Sequence, residues 1–144
     1  MERQQVIIVD DDDAVRDSMR AMLEAEGFTV RCYVTADRVL EEPIPTHACL
    51  VTDVRMPGMS GLELQEELNR RKINLPVIMM TGHADVPLAV RAMKAGAVEF
   101  IEKPVATEIL IAAIQSALHL GVQSHAREAE TRAAQSWAMF VLTP

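Results

Sequence analysis

The chain of 144 residues is 49% hydrophobic with a formal net charge of -7. That is enough apolar material for one globular domain with a proper core and a short remainder. The acidic balance argues against a nucleic-acid-binding surface on this chain. No apolar run approaches the roughly 18 residues of a membrane span, and the strand signal starts too close to Met1 for a signal peptide; both point to a cytoplasmic protein without membrane contact.

Val6 to Val9 is a short continuous apolar run, as in a strand buried on both faces. The cluster Asp10-Asp11-Asp12-Asp13 follows, and Asp12 or Asp13 is placed to cap a helix. Val15, Met19, Met22 and Leu23 form that helix's apolar stripe, and Gly27 stops it. Thr29 to Val34 reads as a second strand and Ala36 to Leu40 as a short helix, ended by the prolines at 43 and 45. Ala48 to Thr52 is a third strand. Ser60 and Glu63 then make a capping box for a helix running to about Arg71.

Val77 to Met80 is a fourth strand, Asp85 caps a helix over Val86 to Ala95, and Gly96 closes it. Val98 to Ile101 is a fifth strand. Thr107 opens a last helix with Leu110, Ala113, Ile114, Ala117 and Leu118 on one face. Cys32 and Cys49 fall in predicted strands without a CxxC or a histidine at metal-ligand spacing, and read as two buried reduced thiols.

Strands alternating with helices imply an α/β fold, a doubly wound five-stranded parallel sheet with helices on both faces. Ligands of such sheets bind at the carboxyl ends of the strands. Asp10 and Asp11, Asp53, Thr81 and Lys103 all fall at such ends, so the fold gathers them on one rim. Converging carboxylates need a cation, and an all-oxygen set suits Mg2+. Asp12 and Asp13 read as no more than a solvated helix start. Asp53 can be a third metal ligand, a nucleophile, or both. A carboxylate can attack phosphorus to give an aspartyl phosphate. The metal and Lys103 would then balance the charge of the transferring group while Thr81 donates a hydroxyl hydrogen bond. Pro104 suits a tight turn that aims Lys103 inward, cis or trans.

The segments Val9-Asp10-Asp11, Val51-Thr52-Asp53-Val54-Arg55-Met56-Pro57-Gly58-Met59-Ser60-Gly61, Met80-Thr81-Gly82-His83 and Glu102-Lys103-Pro104 closely resemble the receiver domain of two-component response regulators, the CheY-like family. Residues 91 to 104 look like its FixJ-like subgroup. The resemblance covers about residues 5 to 120. It implies a flavodoxin-like (βα)5 fold with strand order 2-1-3-4-5. It also implies that Asp53 accepts a phosphoryl group from a sensor histidine kinase. Asp10, Asp11, Asp53 and the carbonyl of Arg55 would hold Mg2+, while Thr81 and Lys103 would bind the phosphoryl group. Phe100 would be an aromatic switch following Thr81. The helix over 86–95 and the strand over 98–101 would form a responsive face on which two copies can dimerise. Such a protein is a switch, with self-phosphorylation and self-dephosphorylation as its only chemistry. Arg55 stands where many receivers carry a small polar residue. Its guanidinium either lies near the phosphate and alters its lifetime, or points to solvent.

Residues 1–121 are assigned to the receiver, and residues 122–144 to a C-terminal helical extension, a linker with helix-friendly sequence from His125 to Met139. FixJ-like regulators carry such a linker before a helix-turn-helix output domain that commonly opens on a Leu-Thr-Pro segment, as in Leu142-Thr143-Pro144 here. DNA would be reached only through a domain absent from this chain. The competing readings are a stand-alone receiver, a pseudo-receiver serving as an interaction module, and a haloacid-dehalogenase-like phosphatase. The last wants a second acid two residues after the nucleophile, where Arg55 stands.

Overall fold

In the computed structural model, which describes residues 4–83 and 85–119, strands and helices alternate. They run β1 (Gln5–Val9), α1 (Asp13–Ala25), β2 (Thr29–Tyr33), α2 (Ala36–Leu40), β3 (Ala48–Asp53), α3 (Gly61–Arg70), β4 (Val77–Thr81), α4 (Val86–Ala95) and β5 (Glu99–Glu102). A further helix, α5, spans 107–119. The strands form one sheet in the order β2-β1-β3-β4-β5, and every pairing is parallel.

The two faces of this sheet follow from the period of two along each strand. Ile7, Val9, Leu50, Val77 and Met79 join Val39, Leu64 and Leu68 in one apolar cluster beneath α2, α3 and α4. Val6, Ile8, Val51, Ile78 and Met80 join Met19, Leu23, Leu110 and Ile114 in the other, beneath α1 and α5. Both sets are apolar, which is why the inner strands read as continuous apolar runs. No helix among the described residues is long and apolar enough to cross a membrane.

Helix ends are fixed by the residues the sequence nominates. Asp12 accepts the N–H groups of Ala14 and Val15, Ser60 and Glu63 form a reciprocal capping box, and Asp85 accepts from Leu88 N–H. Gly96 closes α4 in the left-handed region. The helix α4 is thinly anchored: Ala92 is its one fully buried residue, while Val86, Val90 and Met93 are exposed. Of the two thiols, Cys49 is buried as expected, but Cys32 is only half-buried because β2 is an edge strand. The β2 strand also stops at Tyr33, leaving Val34 exposed. The helical extension expected over 125–139 lies outside the described residues.

Candidate functional site

Parity places the site. Asp53 is the last residue of β3, on the same side of the sheet as Cys49 and Val51. Asp10 follows β1 directly and continues the side of Val6 and Ile8. The β1–β3 register ends at Val9↔Thr52, so Asp10 and Asp53 are neighbours one residue beyond it. Lys103, just past β5, continues the side of Ile101. Its Nζ donates to Asp10 Oδ2 at 2.8 Å and to Asp53 Oδ2 at 3.0 Å.

Asp10 is fully buried, and its carboxylate also accepts the Asp12 N–H at 2.9 Å. Asp53 is 13% exposed and Lys103 22%. Burial alone would lower the lysine's pKa. Hydrogen bonds to Asp10 and then Asp53 outweigh that and hold the ammonium above its ordinary value. The lysine is therefore charged throughout the neutral range. The Lys103–Pro104 peptide bond is cis.

Asp11 is exposed and completes the cluster: one ligand oxygen from each of Asp10, Asp11 and Asp53 lies within 4.8 Å of the others. Three converging carboxylates, all hard oxygen donors, fit a divalent cation such as Mg2+. The Arg55 N–H reaches Asp53 Oδ1 at 3.3 Å. The Arg55 side chain is exposed and lines a recess of about 430 Å3 with Glu63, Glu66 and Arg91, among others.

Thr81 is at the rim but turned away from the acids. Along β4 it shares the side of Val77 and Met79, opposite to Asp53 and Lys103. Its hydroxyl is engaged in its own loop, accepting the His83 N–H at 3.2 Å and donating to the His83 carbonyl at 3.4 Å. The Thr81 carbonyl meanwhile accepts the Lys103 main-chain N–H at 2.7 Å. Phe100 is half-buried against the cluster beneath α4 rather than sealed in the core.

Two further residues have contacts that the sequence does not assign. Gly61, the first residue of α3, lies so close to β3 that a Cβ there would stand 2.4 Å from the Asp53 carbonyl oxygen. The Ser60-Gly61 pair at a helix start was the available signal. Arg16 Nη1 donates to the Asp10 main-chain carbonyl at 2.7 Å, and its other arm pairs with the Asp13 carboxylate. An arginine in the first turn after an acidic run was the only hint of it.

With this geometry in view, the comparisons with known proteins are direct. Residues 6–115 match the response regulator receiver domain family. The transcriptional regulatory protein FixJ of Azorhizobium caulinodans is 52% identical over 114 residues, covering 78% of this chain and 54% of the relative. The chain thus spans about half the length of the curated relatives it matches. Among solved structures, FixJ-N is 47% identical with a TM-score of 0.74, covering 83% of this chain and 96% of that one. Full-length FixJ from B. japonicum is 39% identical with a TM-score of 0.81, covering 94% and 68% respectively. The chain belongs to the response regulator receiver domain family.

Proposed function

We propose that this chain is the receiver of a FixJ-like two-component regulator, phosphorylated on Asp53 by a sensor histidine kinase in a Mg2+-dependent reaction. The observation that carries the reading is the Asp10–Lys103–Asp53 bridge with Asp11 beside it. It supplies an acceptor carboxylate, a fixed cation and a divalent-metal ligand set at one strand-end rim.

In the reaction, an Asp53 carboxylate oxygen attacks the phosphorus of a phosphohistidine. The P–N bond breaks, the imidazole nitrogen keeps the electron pair, and an acyl phosphate forms. Asp10, Asp11 and Asp53, with the Arg55 carbonyl, would hold the metal, which when bound would neutralise charge on the phosphoryl oxygens. Lys103 exchanges its bond to Asp53 for one to the phosphoryl group. Thr81 gives up its His83 carbonyl and donates to a phosphoryl oxygen, and Phe100 follows it inward. The recess of about 500 Å3 lined by Met19, Met22, Lys103 and Pro104 adjoins the site through Lys103 and offers a place for the donor protein.

Phosphorylation shifts an existing equilibrium of α4 and β5. The exposed Val86, Val90 and Met93 on this face suit a homodimer of receivers. Residues 1–121 form the receiver and 122–144 the linker toward a DNA-binding output domain, in a cytoplasmic regulator of transcription. The test is incubation with a small phosphodonor and Mg2+, followed by intact-protein mass spectrometry. One phosphoryl group is gained, lost slowly, and absent in Asp53→Asn or in EDTA. No adduct on the wild-type chain sinks the reading in favour of an interaction module.

A further inference from the structure

We propose that Arg16 is a positioning residue for the metal site, clamping the β1–α1 loop so that Asp11 stands beside Asp10 and Asp53. This rests on the reading of those three acids as a Mg2+ site.

The asymmetry of Arg16's contacts carries the argument. Its side chain is 13% exposed, whereas its acidic partner Asp13 is 83% exposed. A solvated acid holds a guanidinium weakly, so the pair with Asp13 does not account for an arginine drawn so far in. The inward contact does: Nη1 donates to the Asp10 carbonyl at 2.7 Å. That carbonyl lies in the same planar peptide unit as the nitrogen of Asp11. Pinning its oxygen fixes the plane from which the Asp11 chain departs.

The Asp10 carboxylate is held independently, by Lys103 and by the Asp12 N–H. Arg16 therefore adds what those bonds lack, a hold on the main chain between the two metal-ligating acids. The Asp13 carboxylate keeps the other arm of the fork in place, and Asp12 ties the same loop to α1 as its N-cap. A loop ordered before the cation arrives binds it more tightly than one ordered by it.

The sign of one experiment separates this role from simple electrostatics. Arg16 is a cation near a cation site, so by Coulomb's law alone its removal tightens Mg2+ binding. Removal of a clamp weakens it. The measurement is a Mg2+ titration of the full chain followed by amide NMR, with melting in EDTA recorded alongside. Arg16→Ala is expected to bind Mg2+ roughly tenfold more weakly, the lower range for partners that orient metal ligands. Arg16→Lys keeps the charge but lacks the fork, and is expected to bind Mg2+ more weakly than wild type, by less than Arg16→Ala does. Unchanged or tighter binding in a folded Arg16→Ala overturns the proposal. If that variant does not fold, Arg16→Lys decides, and wild-type affinity there overturns it. If the wild-type chain itself shows no Mg2+-dependent shifts at Asp11 and Asp53, the metal reading fails and this inference with it.

Discussion

Asp10 and Asp53, neighbours one residue beyond the last paired position of β1 and β3, share a single counter-ion, the Lys103 ammonium. Replacing Lys103 by Met leaves the fully buried Asp10 without it. Removing one partner of a buried pair is strongly destabilising, but Lys103 is 22% exposed, so a loss of about 1–3 kcal/mol is expected in EDTA. Under the proposed Mg2+ site the metal would then be the acids' principal cation, and the variant is expected to gain more stability from added Mg2+ than wild type does. Urea unfolding with and without Mg2+ checks this. Equal Mg2+ stabilisation of both proteins contradicts it.

Gly61 is irreplaceable for a steric reason. A Cβ would meet the Asp53 carbonyl oxygen at 2.4 Å and Thr52 Cγ2 at 3.2 Å, and the closer obstacle is backbone. Gly61→Ala must shift either the start of α3 or Asp53. It is expected to lose about 1–3 kcal/mol as an overpacked site and to slow phosphorylation of Asp53. Chemical denaturation and the rate of adduct formation give the two readouts. A variant with wild-type values in both would show that the acceptor backbone is free to move.

Between α3 and α4 runs a short polar relay. Gln65 Nε2 donates to Asn69 Oδ1 at 3.0 Å, and Asn69 Nδ2 donates to the Ala95 carbonyl at 2.6 Å. Gln65 is 4% exposed, and its Oε1 is the one buried side-chain acceptor without a partner among the described residues. An orphaned acceptor costs about 1–3 kcal/mol, more than the one net hydrogen bond that Gln65 makes. Gln65→Leu is therefore expected to raise stability by about 1 kcal/mol. Asn69→Ala is expected to lower it by a similar amount and to speed hydrogen exchange across α4, whose one fully buried residue is Ala92. A lowered melting point in Gln65→Leu is the outcome that counts against this account.

The two thiols separate by burial. Desolvation pushes Cys49 up to about 12 from the ordinary 9.0, while Cys32, half-buried, is raised less firmly because Arg20 and Arg16 oppose its desolvation. A thiol reagent at neutral pH should label Cys32 in the native protein and Cys49 only on unfolding. Linkage gives a second test. Below 9.0 both folded and unfolded chains keep the Cys49 proton; between 9.0 and about 12 only the unfolded chain ionises, so stability falls as pH rises. Cys49→Ala should remove up to about 1.4 kcal/mol per pH unit of that alkaline slope. An unchanged slope would place the loss elsewhere.

Most of the rim was legible because its signals are local. Apolar runs ending in Asp10, Asp53 and Lys103 give both strand and site, and the caps at Asp12, Ser60 and Asp85 stand where helix chemistry requires them. What escaped depends on strand parity, on sheet position and on how short loops close. Thr81 lies at the expected strand end, but its hydroxyl is taken by His83, a consequence of the side of β4 that it occupies. Cys32 reads as core in a one-dimensional pattern and is half-buried only because β2 sits at the sheet edge. The approach of Gly61 to Asp53 and the reach of Arg16 to the Asp10 carbonyl close short loops between strand and helix, whose path no periodicity encodes.

The hydrogen bond from the Lys103 main-chain N–H to the Thr81 carbonyl gives the rim a mechanical property. The residue bearing the ammonium and the residue bearing the hydroxyl are joined at their backbones, like two arms on one axle. Under the proposed function, displacing either residue draws on the other, and their contacts to the phosphoryl group are expected to be coupled. Thr81→Ala and Lys103→Met should then fail to add: their combined effect on acyl-phosphate formation should differ from the sum of the two by about 0.5–3 kcal/mol, the coupling typical of directly joined residues. Strict additivity in that double-mutant cycle would mean the axle transmits nothing.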